Sequence, residues 1–153
     1  YNSAFQATQD ASVSCPVEVV DTLRASMGVG FTAMEAARAA SEGASADEVA
    51  GIARDADKRS ECIAMLDTLE YLEKGGRVGK AKALLGSLLK IRPMIRIDGE
   101  VHELGKARTF QKGLRKLQDS VKAFAPLDSL SVLHATSPSK FCIRSSVSPL
   151  NDR

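Results

Sequence analysis

A core built without tryptophan is the tightest constraint on this chain: its 153 residues include five Phe, two Tyr and no Trp. Aliphatic side chains and alanine must therefore fill the interior, with helices approaching closely through small residues. That composition favours α or α/β architecture over an all-β sandwich, whose strands draw on aromatic and β-branched residues. The 44% hydrophobic content is enough for a core and excludes wholesale disorder. The length suits one ordinary domain or two small ones.

Local patterns divide the chain into short elements. Val17 to Val20, between Pro16 and Asp21, reads as a strand. Met27, Phe31 and Met34 recur at helical spacing among small residues, predicting a helix from Met27 to Ala40 that Gly43 ends. Ser45 and Glu48 have the spacing of a capping box and open a helix to about Arg59, with Val49, Ile52, Ala53 and Ala56 inward. Cys62 to Leu66 reads as a second strand, and the strand, helix, helix, strand order predicts crossover topology.

Beyond it, Thr68 to Lys74 is a two-turn helix stopped by Gly75 and Gly76, and Ala81 to Lys90 is a second helix with Leu84, Leu85, Leu88 and Leu89 apolar. Pro93 to Ile97 and Val101 to Leu104 flank Asp98 and Gly99, a strong two-residue hairpin signal. Phe110, Leu114, Leu117, Val121 and Phe124 form a one-sided stripe, the mark of an amphipathic core helix. Residues 129–134 read as one more strand, and the polar, turn-rich end as a loose tail.

Charge is divided unevenly. Residues 1–70 hold 12 acids against 5 bases, and residues 71–153 hold 16 bases against 7 acids, so a net +2 conceals halves of −7 and +9. The basic half is suited to an anion without choosing among nucleic acid, lipid, phosphate and acidic protein. The odd trio Cys15, Cys62 and Cys142 fits neither a disulfide framework nor a metal knuckle, and reads as reduced thiols of a cytoplasmic protein. No apolar run has bilayer-spanning length and no signal-peptide pattern stands out. The opening at Tyr1 without Met reads as the start of a piece of a longer protein.

Candidate chemistry is sparse. His102 and His134 are the only histidines, and neither has a trustworthy metal-ligand spacing; His102 is expected to face solvent on a hairpin strand, and His134 to end an apolar strand. The loop Lys74-Gly75-Gly76-Arg77-Val78-Gly79-Lys80 is the most chemical segment: glycines let backbone N–H groups approach an anion, and Arg77 supplies a two-pronged donor. It lacks P-loop spacing, and a helix C-cap followed by a flexible link is the competing reading. With no nucleophile elbow, catalytic dyad or metal cluster, no catalytic or metal site and no cofactor is expected, and the chain reads as a non-enzyme.

The run DTLEYLEKGGRVGKAKALLGSLLKIRPMI, Asp67 to Ile95, resembles the most recognisable segment of the DegV family of bacterial lipid-binding proteins. YNSAFQA from Tyr1, VVDTLRASMGVGFTAMEAARAASEGAS from Val19, DGEVHELGKARTFQKGLRKL from Asp98 and LSVLHA from Leu130 agree in order, so the resemblance spans about residues 1–137. It implies an incomplete two-domain α/β DegV-like fold, with short strands and crossover helices, then a helix pair and a β-hairpin. Residues 1–66 would be the remainder of the first, parallel-sheet domain and 67–138 part of a second, lipid-covering domain, with 139–153 unmatched.

The implied function is to hold a long-chain fatty acid between two domains and present it to the catalytic subunit of a fatty acid kinase for acyl phosphate formation, with at most transient membrane contact. Arg77, with Gly75 and Gly76, is the family's carboxylate-side element carried over here, and Met27, Phe31, Leu84, Leu88, Ile91 and Met94 are the expected channel walls. The family's Ser-Gly-Thr and His-Thr-Gly-Pro-Gly motifs are not found, which makes lipid binding by this stretch alone weak in expectation. The alternative is a basic nucleic-acid-binding module using residues 74–116, although Tyr and Phe do not interleave with its bases as a stacking platform would.

Overall fold

Helix ends set the geometry of the first half. The computed structural model describes residues 1–10, 14–85 and 91–135. After helix α1 (Asn2–Asp10), which buries no side chain, come α2 (Met27–Ser41) and α3 (Ala46–Arg59). Gly43, at φ 91°, closes α2 with a Schellman motif: its N–H donates to the Ala40 carbonyl at 3.1 Å and that of Ala44 to Ala39 at 3.1 Å. The Ser45 hydroxyl accepts from the Glu48 N–H, while the Glu48 carboxylate accepts from the Ser45 N–H at 2.8 Å, completing the expected capping box. These two caps turn the chain back on itself, and α2 and α3 pack together.

Small residues make that packing close. Gly28, Thr32 and Ala39 are buried on α2, and Ala50, Ala53, Ala56 and Asp57 on α3. The Thr32 hydroxyl donates to the Gly28 carbonyl at 3.2 Å and so is satisfied inside the helix pair. The expected inward face of α3 is rotated: Val49 is half-buried and Ile52 is 37% exposed, because the alanine stripe takes the contact with α2.

Three strands form one antiparallel sheet in the order β1 (Ile63–Met65), β2 (Arg92–Asp98) and β3 (Glu100–Ala107). The mixed α/β class holds, but the crossover expected between residues 17–20 and 62–66 is not formed. Residues 17–20 are not a strand, and β1 instead pairs antiparallel with β2. The apolar run 129–134 likewise forms no strand, and Leu130, Val132 and Leu133 are exposed. β-propensity needs a neighbouring strand to pair with before it becomes structure, and among the described residues neither run has one.

The hairpin is present with a tighter register than expected. Ile97 faces Val101 and Asp98 faces Glu100, leaving Gly99 alone at the tip with φ 68°. Between Met94 and Ile95 the register shifts, so that Leu104 is the extra residue of a bulge on β3.

The two faces of the sheet are covered by different elements. On one side Leu69, Ala81, Leu84, Ile95 and Val101 form a closed aliphatic cluster. Leu69 precedes helix α4 (Glu70–Lys74), and Ala81 and Leu84 come from a 3₁₀ turn over Gly79–Leu84. On the other side lies helix α5 (Phe110–Ala123), where a Cβ added at Gly113 would collide with the Met65 sulfur. Phe110, Leu114, Leu117 and Val121 of the expected stripe are half-buried, and Phe124 is exposed.

The α-helix expected over 81–90 begins instead as the 3₁₀ turn, and residues 86–90 lie outside the described residues. Gly79, the first residue of that turn, sits against β3 at φ 51°, where a Cβ would lie 2.7 Å from the Val101 carbonyl oxygen. Three residues per turn then place Ala81 and Leu84 on one side, and both are buried.

Candidate functional site

The glycine-arginine loop is held at both ends. At its start the Thr68 hydroxyl accepts from the Glu70 N–H at 3.1 Å, and buried Leu69 anchors α4 to the core. At its end Gly79 is pressed against β3. Between them Gly76, at φ 67°, makes a second Schellman motif: its N–H donates to Glu73 at 2.9 Å, and the N–H of Arg77 to Leu72 at 2.7 Å.

That motif takes up backbone amides on which the reading of the loop as an anion cradle depends, and matches the competing reading of a helix C-cap. The N–H of Gly75 also donates inward, to Tyr71 at 3.0 Å, so the amides of Gly75, Gly76 and Arg77 are all used by carbonyls of α4. The Arg77 side chain, by contrast, stands outside that motif. Its guanidinium is exposed and donates one hydrogen bond, from Nη1 to the Gly75 carbonyl at 2.7 Å, which directs the side chain without exhausting its five donors. Lys74 is paired with Glu70 at 2.6 Å and Lys80 with Glu100 at 3.3 Å. Among the described residues Arg77 is the loop cation that no carboxylate neutralises.

Two of the expected channel residues, Leu84 and Met94, lie on opposite faces of the sheet. Leu84 belongs to the closed cluster on the Ile95 face of the sheet. Met94 is 2% exposed and pairs in register with Met65, which puts it on the opposite, α5 face. Successive residues of a strand point to opposite sides, so Met94 and the cluster around Ile95 are separated by the sheet itself. Ile91 is half-buried, and Leu88 lies outside the described residues. Met27 and Phe31 are half-buried on α2, where the Met27 sulfur lies over Gly30, 2.9 Å from where a Cβ would be.

Open surface grooves among the described residues include two beside α3. One, of about 420 Å³, is lined by Glu35, Arg38, Arg59, Asp128 and Ser129. The other, of about 580 Å³, runs along α3 past Ala44, Gly51 and Ile52. Neither includes a residue expected for lipid. Large apolar side chains are nevertheless exposed on the helical half, among them Phe5, Val29 and Met34.

The ion-paired cation with the least exposed side chain among the described residues has no local sequence signal. Arg24, with a side chain 7% exposed, contacts Asp57 at 3.5 Å and Asp98 at 2.8 Å, acids that lie 33 and 74 positions further along the chain. Burial raises the Asp57 pKa above the ordinary aspartate value; Arg24 opposes the shift, and Asp98 and Asp21 add to it. Burial also pushes the neighbouring Cys62 thiol up, away from the reactive thiolate. Among the described residues no group of three or more His, Cys, Asp or Glu could hold a metal ion, and no helix is long and apolar enough to cross a membrane.

Comparison with known proteins adds what geometry alone does not. The model of the DegV family matches residues 1–139. A DegV domain-containing protein of Streptomyces coelicolor is 35% identical over 144 residues, covering 92% of this chain and 50% of that protein. Among solved structures, a DegV family protein from Thermus thermophilus, described as binding fatty acid, is 34% identical with a TM-score of 0.72, covering 82% of this chain and 44% of that one. A DegV lipid-binding protein from Thermotoga maritima is 34% identical with a TM-score of 0.69 over 82% of this chain and 43% of that one. The chain thus spans half or less of the length of the relatives it matches.

Proposed function

This chain belongs to the DegV family, and from that premise we propose that it forms part of a cytoplasmic protein that binds a long-chain fatty acid and presents it to a separate kinase, which makes the acyl phosphate. It is a binding module rather than an enzyme. The observation that carries the reading is the 34% identity and 0.72 TM-score to the fatty-acid-binding Thermus thermophilus protein.

In this proposal Arg77 stands on the carboxylate side, with Gly75 and Gly76 setting its position, and the half-buried Met27, Phe31 and Ile91 contribute apolar wall. Leu84, in the closed cluster, and Met94, sealed on the α5 face, hold the sheet from its two sides rather than lining the wall. The tail supplies most of the affinity, about 0.8 kcal/mol for each buried CH₂, and the head group adds about 1.5 to 3 kcal/mol per charged hydrogen bond.

The test is mass spectrometry of lipid extracted from natively purified protein, repeated for Arg77→Ala and Arg77→Lys. Co-purified long-chain fatty acid, reduced in both variants, is expected, because lysine cannot reproduce a two-pronged contact. Absence of lipid, together with tight and steeply salt-dependent oligonucleotide binding, would overturn the proposal in favour of nucleic acid.

A further inference from the structure

The helix pair and the sheet touch sparsely: α2 and α3 pack on each other, and the sheet packs on α5 and the 3₁₀ turn. Where the two layers meet, the contacts converge on Arg24. Its Nη1 donates to the Asp98 carboxylate at 2.8 Å and to the Ile97 carbonyl at 3.4 Å, both at the end of β2. Its Nη2 donates to the Asp57 carbonyl at 3.3 Å, and its Nε faces the Asp57 carboxylate at 3.5 Å, both near the end of α3. One planar guanidinium thus holds a helix end and a hairpin tip together.

The segment carrying Arg24 is shaped for this contact. Leu23 and Ser26, on either side, have φ of 49° and 55°, a conformation L-residues adopt only when their surroundings impose it. The Arg24 stem lies against the first turn of α2, where a Cβ on Gly28 would come within 2.9 Å of the Arg24 Cβ. The Leu23 carbonyl accepts from the N–H of Gly99 at 2.7 Å, tying the hairpin tip to the same segment. Around the joint stand Asp21, Glu61, Cys62 and Arg96, the last bonded to Glu61 at 2.8 Å and to Asp98 at 3.3 Å.

We propose that Arg24 is a positioning residue: it locks the α2 and α3 pair to the tip of the β2–β3 hairpin and so sets how the two layers are placed around an acyl chain. Only the last step rests on the fatty-acid reading. Asp98 has the more accessible carboxylate, with a side chain 37% exposed, and Asp57 the sealed one. The joint is therefore a buried cation shared by two elements, one of them reachable by water.

The test is hydrogen exchange on the full chain, residue by residue, for wild type, Arg24→Met, Arg24→Lys and Asp98→Asn, with binding of a fluorescent polyene fatty acid measured on the same samples. In Arg24→Met the Gly99 amide should exchange about tenfold faster, while amides inside α3 and in the β2–β3 ladder stay within about twofold. Arg24→Lys, which keeps the charge and loses the fork, should fall between.

Uniform acceleration across α3 and the ladder would reduce Arg24 to a general stabiliser and overturn the proposal, as would an unchanged Gly99. If Arg24→Met does not fold, Asp98→Asn decides: selective acceleration at Gly99 supports the joint, and no change there overturns it. Selective exchange with no fatty-acid uptake by wild type would remove the proposed function and leave the joint standing. Uptake that is the same in wild type and in a folded Arg24→Met would remove the link between joint and ligand.

Discussion

The helix pair and the sheet layer solve the same packing problem with different side chains. In the sheet layer large aliphatics go inward: Leu69, Leu84, Ile95 and Val101 close around Ala81, and Met94 is sealed on the opposite face. In the helix pair alanines go inward, while Val29, Met34 and Ile52 are left at 40%, 55% and 37% exposure. A layer whose large apolar groups face each other is self-sufficient. A layer packed through Ala50, Ala53 and Ala56 allows close helices and presents its larger apolar groups outward.

The widest separation between the layers should come from truncating one isoleucine in each. Ile95→Ala empties a closed cluster and should cost about 3 kcal/mol, whereas Ile52→Ala, on an open groove, should cost less than about 1 kcal/mol. Urea midpoints measure both, and equal losses would show that the helix pair is as tightly closed as the sheet.

The two Schellman glycines sharpen the comparison at the next scale. Gly43→Ala and Gly76→Ala each force an L-residue to positive φ and should each lose about 1 kcal/mol. Only Gly76→Ala should also reduce retained fatty acid, because Arg77 follows it directly. A matching loss of lipid in Gly43→Ala would indicate that stability alone governs binding.

Asp57 supplies a pH test at the boundary of the layers. Its pKa is raised in the fold, so between the ordinary aspartate value and that raised value the folded chain binds more protons than the unfolded one. This group's contribution to stability therefore grows as pH falls through the window and is lost as pH rises through it. Asp57→Asn lacks the dependence, so its stability relative to wild type should be greatest near neutrality and decline on acidification. A difference that widened toward acid would mean the Arg24 pairing outweighs burial. The smallest effect is expected from Met34→Ser, within about 0.5 kcal/mol by urea midpoint, since that side chain is already exposed in the isolated chain.

Much of the local structure was legible because its hydrogen bonds close within a few residues. Gly43, the Ser45 and Glu48 box, Gly76 and the turn at Gly99 all lie where the residue types place them. The DegV resemblance was legible too, since it rests on an ordered set of such local motifs, and the family match over residues 1–139 bears it out. What a residue faces was not. The strand preference of residues 17–20 found no neighbour to pair with, and the inward stripe of α3 rotated onto alanines.

The glycine loop shows both sides of that division. Two glycines and an arginine suffice to foresee a helix end, yet only the fold decided that all three amides would be consumed by α4 while the guanidinium stays exposed. Arg24 marks the limit most clearly: nothing beside it in the chain distinguishes it from Arg38 or Arg54. Its role exists only because folding brings Asp57 and Asp98 to it from distant positions and buries the guanidinium between them. Caps and turns depend on neighbours along the chain, which sequence records; burial and charge pairing depend on neighbours in space, which tertiary structure alone assigns.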